Sequence, residues 1–477
     1  MTEESRGTLR AGVPGAEAGA RKAAETDARK SAAAEGSAAS DTSDTSAQSA
    51  QSAQVPPSAG ESGAPDAKVE PREAGSREPG EETGRGTRPL SRVRPSSLAE
   101  AADAVADAAR ERRTLLFEGA GTAREWGGPV AGPGLVVETS GLDRLISHAS
   151  GDWTVGAEAG MPLARLQEQL APAGQWLPVD PPAADAGATL GGLLACGDAG
   201  PRRLKYGGIG DLVIGATLVL PDGTVARTGG DVIKNVAGYD LAKLMNGSLG
   251  AFGLVVRLNL RVHPLPAATA TVALPVDDAG RALDAARAVL RSPLEPVAAE
   301  WDGQELLVRF HGTEESTAVR GRLVPQLAGF AAARVLGPEA ELAVWQRHSA
   351  LVRGEEGETV LRAGTHPARL PALVRRLDEL TRDSGVEARF LSGVAQGVHT
   401  VVLRDGDVEE HAACLTSWRE AVREAGGSVT LRRRRRGVDA HASPWGPAPP
   451  SVPVLRSLKR QFDPDDLCAP GRFAPWF

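Results

Sequence analysis

Fifteen glycines lie between Ala188 and Gly253, interleaved with short apolar runs: ATLGGLLACGDAGPRR, KYGGIGD and DGTVARTGGDVIKNVAGYDLAKLMNGSLGAFG. Both tyrosines of the chain, Tyr206 and Tyr239, fall inside this block. Glycine weakens helix and strand interiors, so such density makes sense where backbone must come within van der Waals distance of something flat and bulky. The block reads as the wall of a cofactor site. Within it, Thr189 is placed to cap a helix opening on Gly191-Gly192, which would leave N–H groups free to face a ligand. Val213 to Val219, Asp222-Gly223 and Val225 to Arg227 make a hairpin by their turn chemistry. Asp240 to Met245 is helical. Gly253 to Val262 is a strand whose Arg and Asn residues alternate with apolar ones, so one face is wet.

Upstream, Ser97-Leu98-Ala99-Glu100 has capping-box spacing. It starts a helix whose apolar face carries Leu98, Ala101 or Ala102, Val105 and Ala108 or Ala109, ending around Arg112-Arg113, whose charges suit a helix C-terminus. Thr114 to Phe117 is a short buried strand that opens directly into Gly119-Ala120-Gly121-Thr122. There consecutive backbone N–H groups can converge on an anion, with a pyrophosphate as the natural guest. Leu135 to Thr139 and Trp153 to Glu158 are further strands, and Pro162 to Leu170 is a helix with proline in its first turn. Trp176-Leu177-Pro178-Val179-Asp180-Pro181-Pro182 is a stiff extended lead into the glycine-rich block, and Pro264 and Pro266 close the unit.

From Thr269 the texture changes. Strand-like runs at Ala270–Leu274, Leu306–Phe310, Thr359–Arg362, Val398–Leu403 and Val429–Leu431 alternate with amphipathic helices near Ala279–Leu290, Glu314–Leu327, Glu339–Leu351, Pro367–Asp383 and Val408–Ala425. This alternation predicts a helix-backed, antiparallel, ferredoxin-like sheet serving as a cap. An irregular tail follows, running through Phe462 to Arg472. Residues 1–90 are a different material, mostly Ala, Ser, Glu, Gly, Pro and Thr, with the first aromatic at Phe117. They cannot bury enough apolar surface to offset ordering entropy of roughly 1–2 kcal/mol per residue and are expected to be disordered. The expected division is a tail over 1–90, a cofactor domain over 91–266, and a cap with a C-terminal return over 267–477.

Charge excludes some partners. With 54 Lys+Arg against 61 Asp+Glu, the chain gives no reason to expect nucleic acid. Cys196, Cys414 and Cys468 are far apart and lack ligand spacing, so neither a metal nor an iron–sulfur cluster is expected in this chain. The N-terminal residues lack signal-peptide character, and no run of about 18 apolar residues suggests a membrane span. A reducing cytoplasm is the expected setting, with membrane association only through partners.

Taken in order, Gly119-Ala-Gly-Thr122, Asp180-Pro181, Ala188-Thr-Leu-Gly-Gly192, Lys205-Tyr-Gly207, Asp222-Gly223, Lys234-Asn-Val-Ala-Gly-Tyr-Asp-Leu241 and Gly247-Ser-Leu-Gly250 form a pattern far more specific than any one part. It resembles the FAD-binding domain of the vanillyl-alcohol oxidase and p-cresol methylhydroxylase family. Within that family, Ala195-Cys196-Gly197, Gly200-Pro201-Arg202-Arg203 and KNVAGYDLAKLM look like the FAD-binding subunit of glycolate oxidase (glycolate dehydrogenase). The closing FDPDDLCAPGR is similar to the family's FDPxxxxNPGR ending. The resemblance implies an α+β fold: a two-subdomain FAD-binding domain of p-cresol methylhydroxylase type, then the cap. It implies FAD held by Gly119, Ala120, Gly121, Thr122 and Ala123 at the pyrophosphate. Thr189, Gly191 and Gly192 would lie toward the flavin and Gly253 and Val255 toward the adenine–ribose end, with Asp180 and Gly197 as further FAD-binding residues. Some members tether the flavin through a histidine in the first loop. Glu118 to Arg124 contains none, so FAD is expected to be non-covalent.

The implied activity is oxidation of a small hydroxyacid or alcohol, in a complex with a second flavoprotein subunit and an iron–sulfur subunit. A stand-alone FAD-dependent oxidase or dehydrogenase of another alcohol or sugar-type substrate is the alternative, and a flavin-holding scaffold without turnover stays open. Hydroxyacid-oxidising relatives carry an HxGDGNxH segment in the cap, and none of the eight histidines here forms such a cluster. No catalytic base is identified. Lys234, Arg202 and Arg203 are candidates for placing positive charge near the flavin or a carboxylate, and Arg472 for reaching back to the cleft. Arg432 to Arg436 reads first as a solvated loop, with a carboxylate funnel, an acidic-partner patch and a membrane-surface contact as alternatives.

Overall fold

The computed structural model describes residues 90–231, 240–382 and 384–477. The expectations for the N-terminal tail and for Lys234 and Tyr239 fall outside the described residues.

Two sheets of three and five strands build most of the first part of the described chain, beside a two-stranded pairing of Gln175–Trp176 with His263–Pro264. The smaller holds β1 (Ser91–Val93), then, after helix α1 (Leu98–Arg110), β2 (Leu115–Glu118) and β3 (Leu135–Glu138); the order is β1-β3-β2 and the pairing parallel. Ser97 fixes the start of α1, its Oγ accepting from the Glu100 amide at 3.2 Å. Glu100 completes the cap by accepting from the Ser96 amide at 2.8 Å rather than from Ser97. The helix ends at Arg110, a little before the expected Arg112-Arg113.

The larger sheet is antiparallel. Its chain order is β4 (Leu145–Ala149), β5 (Thr154–Glu158), helices α2 (Leu163–Leu170) and α3 (Leu190–Cys196), the hairpin β6 (Val213–Val219) and β7 (Val225–Gly229), helix α4 (Leu241–Met245) and β8 (Leu254–Arg261). The strands lie in the order β4-β5-β8-β6-β7. In β8, Arg257, Asn259 and Arg261 are half-buried while their neighbours are buried, as the alternation predicts. Leu166, Leu190, Leu194, Met245 and Leu258 make the core between this sheet and its helices; each fully buried side chain of this size contributes about 1.5–3 kcal/mol.

The remaining chain forms an eight-stranded antiparallel sheet. Its elements are β9 (Ala268–Pro275), α5 (Ala279–Leu290), β10 (Ala298–Trp301), β11 (Glu305–Gly312), α6 (Glu314–Ala328) and β12 (Arg334–Val335). Helix α7 (Pro338–Arg353) follows, then β13 (Thr359–Gly364), α8 (Leu370–Thr381), β14 (Val386–Gly393), β15 (Val398–Asp405), α9 (Val408–Glu424) and β16 (Ser428–Arg433). The sheet order, β12-β9-β11-β10-β14-β15-β13-β16, resolves into two βαββαβ halves. They are joined where Glu300 pairs with Gly393 and Trp301 with Ser392. The expected ferredoxin-like cap is thus two such units set edge to edge. Helices α5, α6, α8 and α9 cover one face over Val272, Phe310, Leu361 and Val401, with Trp418 of α9 buried in the same core. On the opposite face α7 packs Trp345 against Leu307, and Leu351 and Val352 against Val360 and Val402.

Where an irregular tail was expected, α10 (Val452–Phe462) forms, with Pro453 in its first turn, where a missing N–H costs nothing. The chain then returns to β2. Leu115 donates its amide to Leu467 at 2.7 Å and accepts from Ala469 at 2.8 Å. Lys459 secures this return, its Nζ donating to the carbonyls of Ala251 and Cys468 and to the buried Asp463 carboxylate at 2.6 Å. No helix among the described residues is long and apolar enough to cross a membrane.

Candidate active site

Two cavities meet at the loop that follows β2. The first spans about 820 Å3, part of it open to solvent, and its walls include Gly119, Ala120, Gly121, Thr122, Ala123, Thr189, Gly191, Gly192, Gly253, Val255 and Arg472. Ten of the twelve residues expected at a cofactor site from sequence thus share one cleft. In the loop, the amides of Ala120, Gly121, Thr122 and Ala123 donate to nothing among the described residues, and Gly121 sits at φ +71°. A Cβ on Gly119 would stand 2.2 Å from Thr189 Oγ1, and one on Gly253 2.7 Å from the Val219 carbonyl. Side chains at either place would force the walls apart.

Arg472 closes the cleft from the C-terminal return. One of its terminal nitrogens donates to the carbonyls of Arg124, Trp126 and Gly128 at 2.8–3.0 Å, pinning the far end of the loop. Its Nε is buried without a partner. Burial, followed by the nearby Arg434, pushes its pKa down to about 10, the signature of a cation lacking an anion. Unpaired amides, an orphaned guanidinium nitrogen and walls kept clear by glycine form a donor set that fits the diphosphate of a dinucleotide.

Three expectations need correction or relocation. The first amides of α3 are not free for a ligand: Leu190 donates to Met161, Gly191 to Ala159 at 2.7 Å, and Gly192 to the Thr189 hydroxyl at 3.3 Å. Asp180 stands outside the cleft, accepting from the Arg202 amide at 3.1 Å and packing against Gly200. Burial raises its pKa to about 6 against the pull of Arg202. Gly197 is also outside, ending α3 in the left-handed conformation at φ +60°.

The second cavity, about 1140 Å3 and open to solvent, shares Gly121, Thr122 and Arg124 with the first. Its other walls include Pro182 and Ala183 from the extended run, Asp198 after α3, Arg353 at the end of α7, and Arg362, Thr400, Arg432 and Arg433 from the eight-stranded sheet. The strand pleat explains this face. Arg362 on β13 pairs with Thr400 of β15 on one side and Thr430 of β16 on the other, while the flanking Leu361 points to the helix-covered core. A β-bulge shifts the register so that Arg433 pairs with Val360 and Leu431 with Leu361, leaving Arg432 as the extra residue. Bulges re-aim side chains, and here two successive arginines reach one cavity.

The solvated-loop reading therefore fails for Arg432 to Arg435, which are half-buried, and holds for Arg436, which is exposed at a turn. Arg432 lies 3.5 Å from the Trp126 ring centroid. Arg434 donates to the carbonyls of Glu125 and Gly127, and Arg435 to those of Asp405 and Gly406. The carbonyls that Arg434 reaches lie some 300 residues away in the chain and those that Arg435 reaches about 30 away, contacts that no local pattern reveals. Arg202 lies 4.7 Å over Trp176 instead of lining either cavity.

No histidine lines either cavity. His399 is satisfied by Ser392 and Thr365, each at 2.9 Å, and His411 by Thr359 and the Asp405 carbonyl. His311 bonds Tyr206 Oη at 3.1 Å. The titratable group that sequence reading passed over is Asp198. Burial raises its pKa, while Arg432 and Arg362 oppose that shift. Nothing in its local sequence marks it.

Fold and cleft together define an FAD-dependent oxidoreductase of p-cresol methylhydroxylase type. A family model described as an FAD binding domain matches residues 89–229. The chain is 30% identical over 378 residues to glycolate oxidase subunit GlcE of Escherichia coli (strain K12), covering 77% of this chain and 95% of that one. It is 25% identical over 413 residues to the D-lactate dehydrogenase of Archaeoglobus fulgidus, covering 80% and 90% respectively. A solved structure of alkyldihydroxyacetonephosphate synthase shares the fold, with TM-score 0.61 over 80% of this chain and 75% of that one at 18% identity. The chain belongs to the FAD-binding family that includes glycolate oxidase subunits and D-lactate dehydrogenases.

Proposed function

We propose that this protein is the FAD-binding subunit of a complex that oxidises a small 2-hydroxyacid of the glycolate type. The observation that carries the reading is the arginine-lined cavity abutting the glycine loop. Arg362 and Arg432 are two cations set beside one carboxylate, Asp198, so a substrate carboxylate would pair with the charge that Asp198 leaves over between them.

In this reading Gly119 to Ala123 and Arg472 hold the pyrophosphate, Thr189, Gly191 and Gly192 flank the ring end, and Gly253 and Val255 the adenine end. When bound, FAD supplies the two-electron acceptor. Arg362, held by Thr400 Oγ1 at 2.8 Å, fixes the substrate carboxylate in orientation. Asp198 Oδ takes the hydroxyl proton; burial raises its pKa against the pull of Arg432 and Arg362, which makes it a better proton acceptor than a free carboxylate. Pro182 and Ala183 exclude water from one wall. FAD is held without a covalent bond, since burial first and then the charge of Asp198 push the Cys196 thiol up to about 12 and keep it un-nucleophilic. Precipitating the protein with acid should release all of its flavin.

The printed name of the Escherichia coli relative describes a subunit, which supports partners for this chain. A second flavoprotein subunit and an iron–sulfur subunit would carry electrons onward. The chain would work in the reducing cytoplasm, where its three free cysteines stay thiols, and meet a membrane only through those partners.

The deciding experiment is reconstitution of the co-purified complex with and without this chain. Glycolate- or lactate-dependent dye reduction should need the chain and should fall at least 100-fold with Arg362→Met. Equal turnover by the complex lacking the chain would sink the reading.

A further inference from the structure

The charge around the second cavity exceeds what one substrate carboxylate can balance. Seven charged side chains line it: Arg124, Glu125, Asp198, Arg353, Arg362, Arg432 and Arg433. Two of the cations are paired, Arg124 with Glu118 at 2.6 Å and Arg433 with Glu125 at 3.7 Å. Among the described residues, Arg353, Arg362 and Arg432 form no ion pair. Arg353 Nη1 donates only to the Pro182 carbonyl at 3.3 Å. Arg362 donates to Thr400 and, at 3.4 Å, to the Ala199 carbonyl. Arg432 makes no hydrogen bond to a described residue, and its Nε is buried and unpartnered. Beyond the wall, Glu300 and Arg203 act on Arg362 with opposite signs, and Glu300 already faces His348 at 3.3 Å. Three unpaired guanidiniums against Asp198 leave two positive charges.

Position divides these three. Arg362 and Arg432 come from neighbouring strands and both act on Asp198. Arg353 comes from a helix instead, as the last residue of α7, and donates to the extended run, although the adjoining Gly354 abuts Val360 and Arg433. An uncompensated cation in a partly desolvated site weakens the fold unless an anion joins it, and guanidinium is the group best matched to a carboxylate.

We propose that the substrate is a 2-hydroxyacid with a second carboxylate. Arg362 and Arg432 take the carboxylate beside the reacting carbon, and Arg353 takes the distal one. This deepens the hydroxyacid reading and rests on it. Burial pushes the Arg432 pKa down to about 10, with Asp198 opposing and Arg362 adding to the shift, which agrees with a cation awaiting its counter-ion.

The test compares two acids of equal carbon number on the purified FAD-loaded chain, anaerobically, by the change in flavin absorbance. Malate should bind at least tenfold tighter than 2-hydroxybutyrate, and more so at low salt. Arg353→Met should bring malate affinity down to that of 2-hydroxybutyrate, and Arg353→Lys should restore part of the difference. Equal affinity for the two acids in the unmutated protein overturns the second carboxylate and leaves the hydroxyacid reading standing. A flavin spectrum that neither acid perturbs overturns both.

Discussion

Gly119 and Thr189 show how tightly the cofactor loop is specified at the level of single atoms. The loop passes so close to the α3 cap that a methyl on Gly119 would meet the Thr189 hydroxyl at 2.2 Å. Gly119→Ala should therefore lower retained FAD at least tenfold, read as flavin per chain after gel filtration. Gly119→Asp should be worse, since it also brings a carboxylate to the phosphate. The double variant Gly119→Ala, Thr189→Ala removes the opposing oxygen and should recover most of the loss, a coupling expected only of residues in contact. The glycines of this loop were legible in the sequence because backbone approach leaves a compositional mark. Asp198 was not, because an isolated aspartate after a helix has no mark of its own until the eight-stranded sheet brings Arg362 and Arg432 to it.

Among the elements, legibility followed local signals. α5 runs Ala279–Leu290 as its periodicity predicts, with Asp278 accepting from the Arg281 amide at 2.7 Å. α2, α3 and α4 likewise start where Pro162, Thr189 and Asp240 place them. β10 and β14 were invisible: Ala-Ala-Glu-Trp and Val-Glu-Ala-Arg-Phe-Leu-Ser-Gly have little β-branched content, and their stability comes from strands on either side. Strand β11 carries a testable case. Its His311 faces Tyr206, with Arg202, Arg309 and Lys205 nearby and His263 edge-on to the same tyrosine. Burial first, and then those three cations, push its pKa down to about 3. An unfolded histidine titrates near 6.5, so between pH 6.5 and 3 the unfolded chain binds the extra proton. Stability from this group is complete above pH 6.5 and is lost as pH falls through that window. His311→Gln should reduce the loss in urea stability between pH 7 and pH 5 by about 2 kcal/mol. An unchanged pH dependence would show that His311 protonates freely in the fold.

Across the whole molecule, the sequence indicated a cofactor domain followed by a sheet backed by helices, and missed that the sheet is a duplicated unit. Identical βαββαβ halves leave no repeat in a sequence once their residues diverge, so only strand order exposes them. The C-terminal return was legible as a motif, FDPDDLCAPGR, but its anchor was not. Lys459 lies on a helix that a proline-rich flank disguised, and it is buried with Asp463, whose side chain is 1% exposed. Lys459→Met would leave that carboxylate without its cation and should cost roughly 3–5 kcal/mol, measured as a lowered melting temperature with parallel loss of flavin. A melting temperature within a degree of the parent would show the pair to be dispensable.

The return of residues 467–472 onto β2 and the glycine loop also sets an order of events during biosynthesis. Translation proceeds from the N-terminus, so the strands that frame the dinucleotide leave the ribosome long before Arg472, which completes their far wall. A nascent chain that has not yet exposed Arg472 has an open trough where the folded protein has a grip. Flavin capture should therefore wait on residues 467–472, and a chain truncated after Phe462 should stay colourless in excess FAD while the chain that carries Arg472 turns yellow.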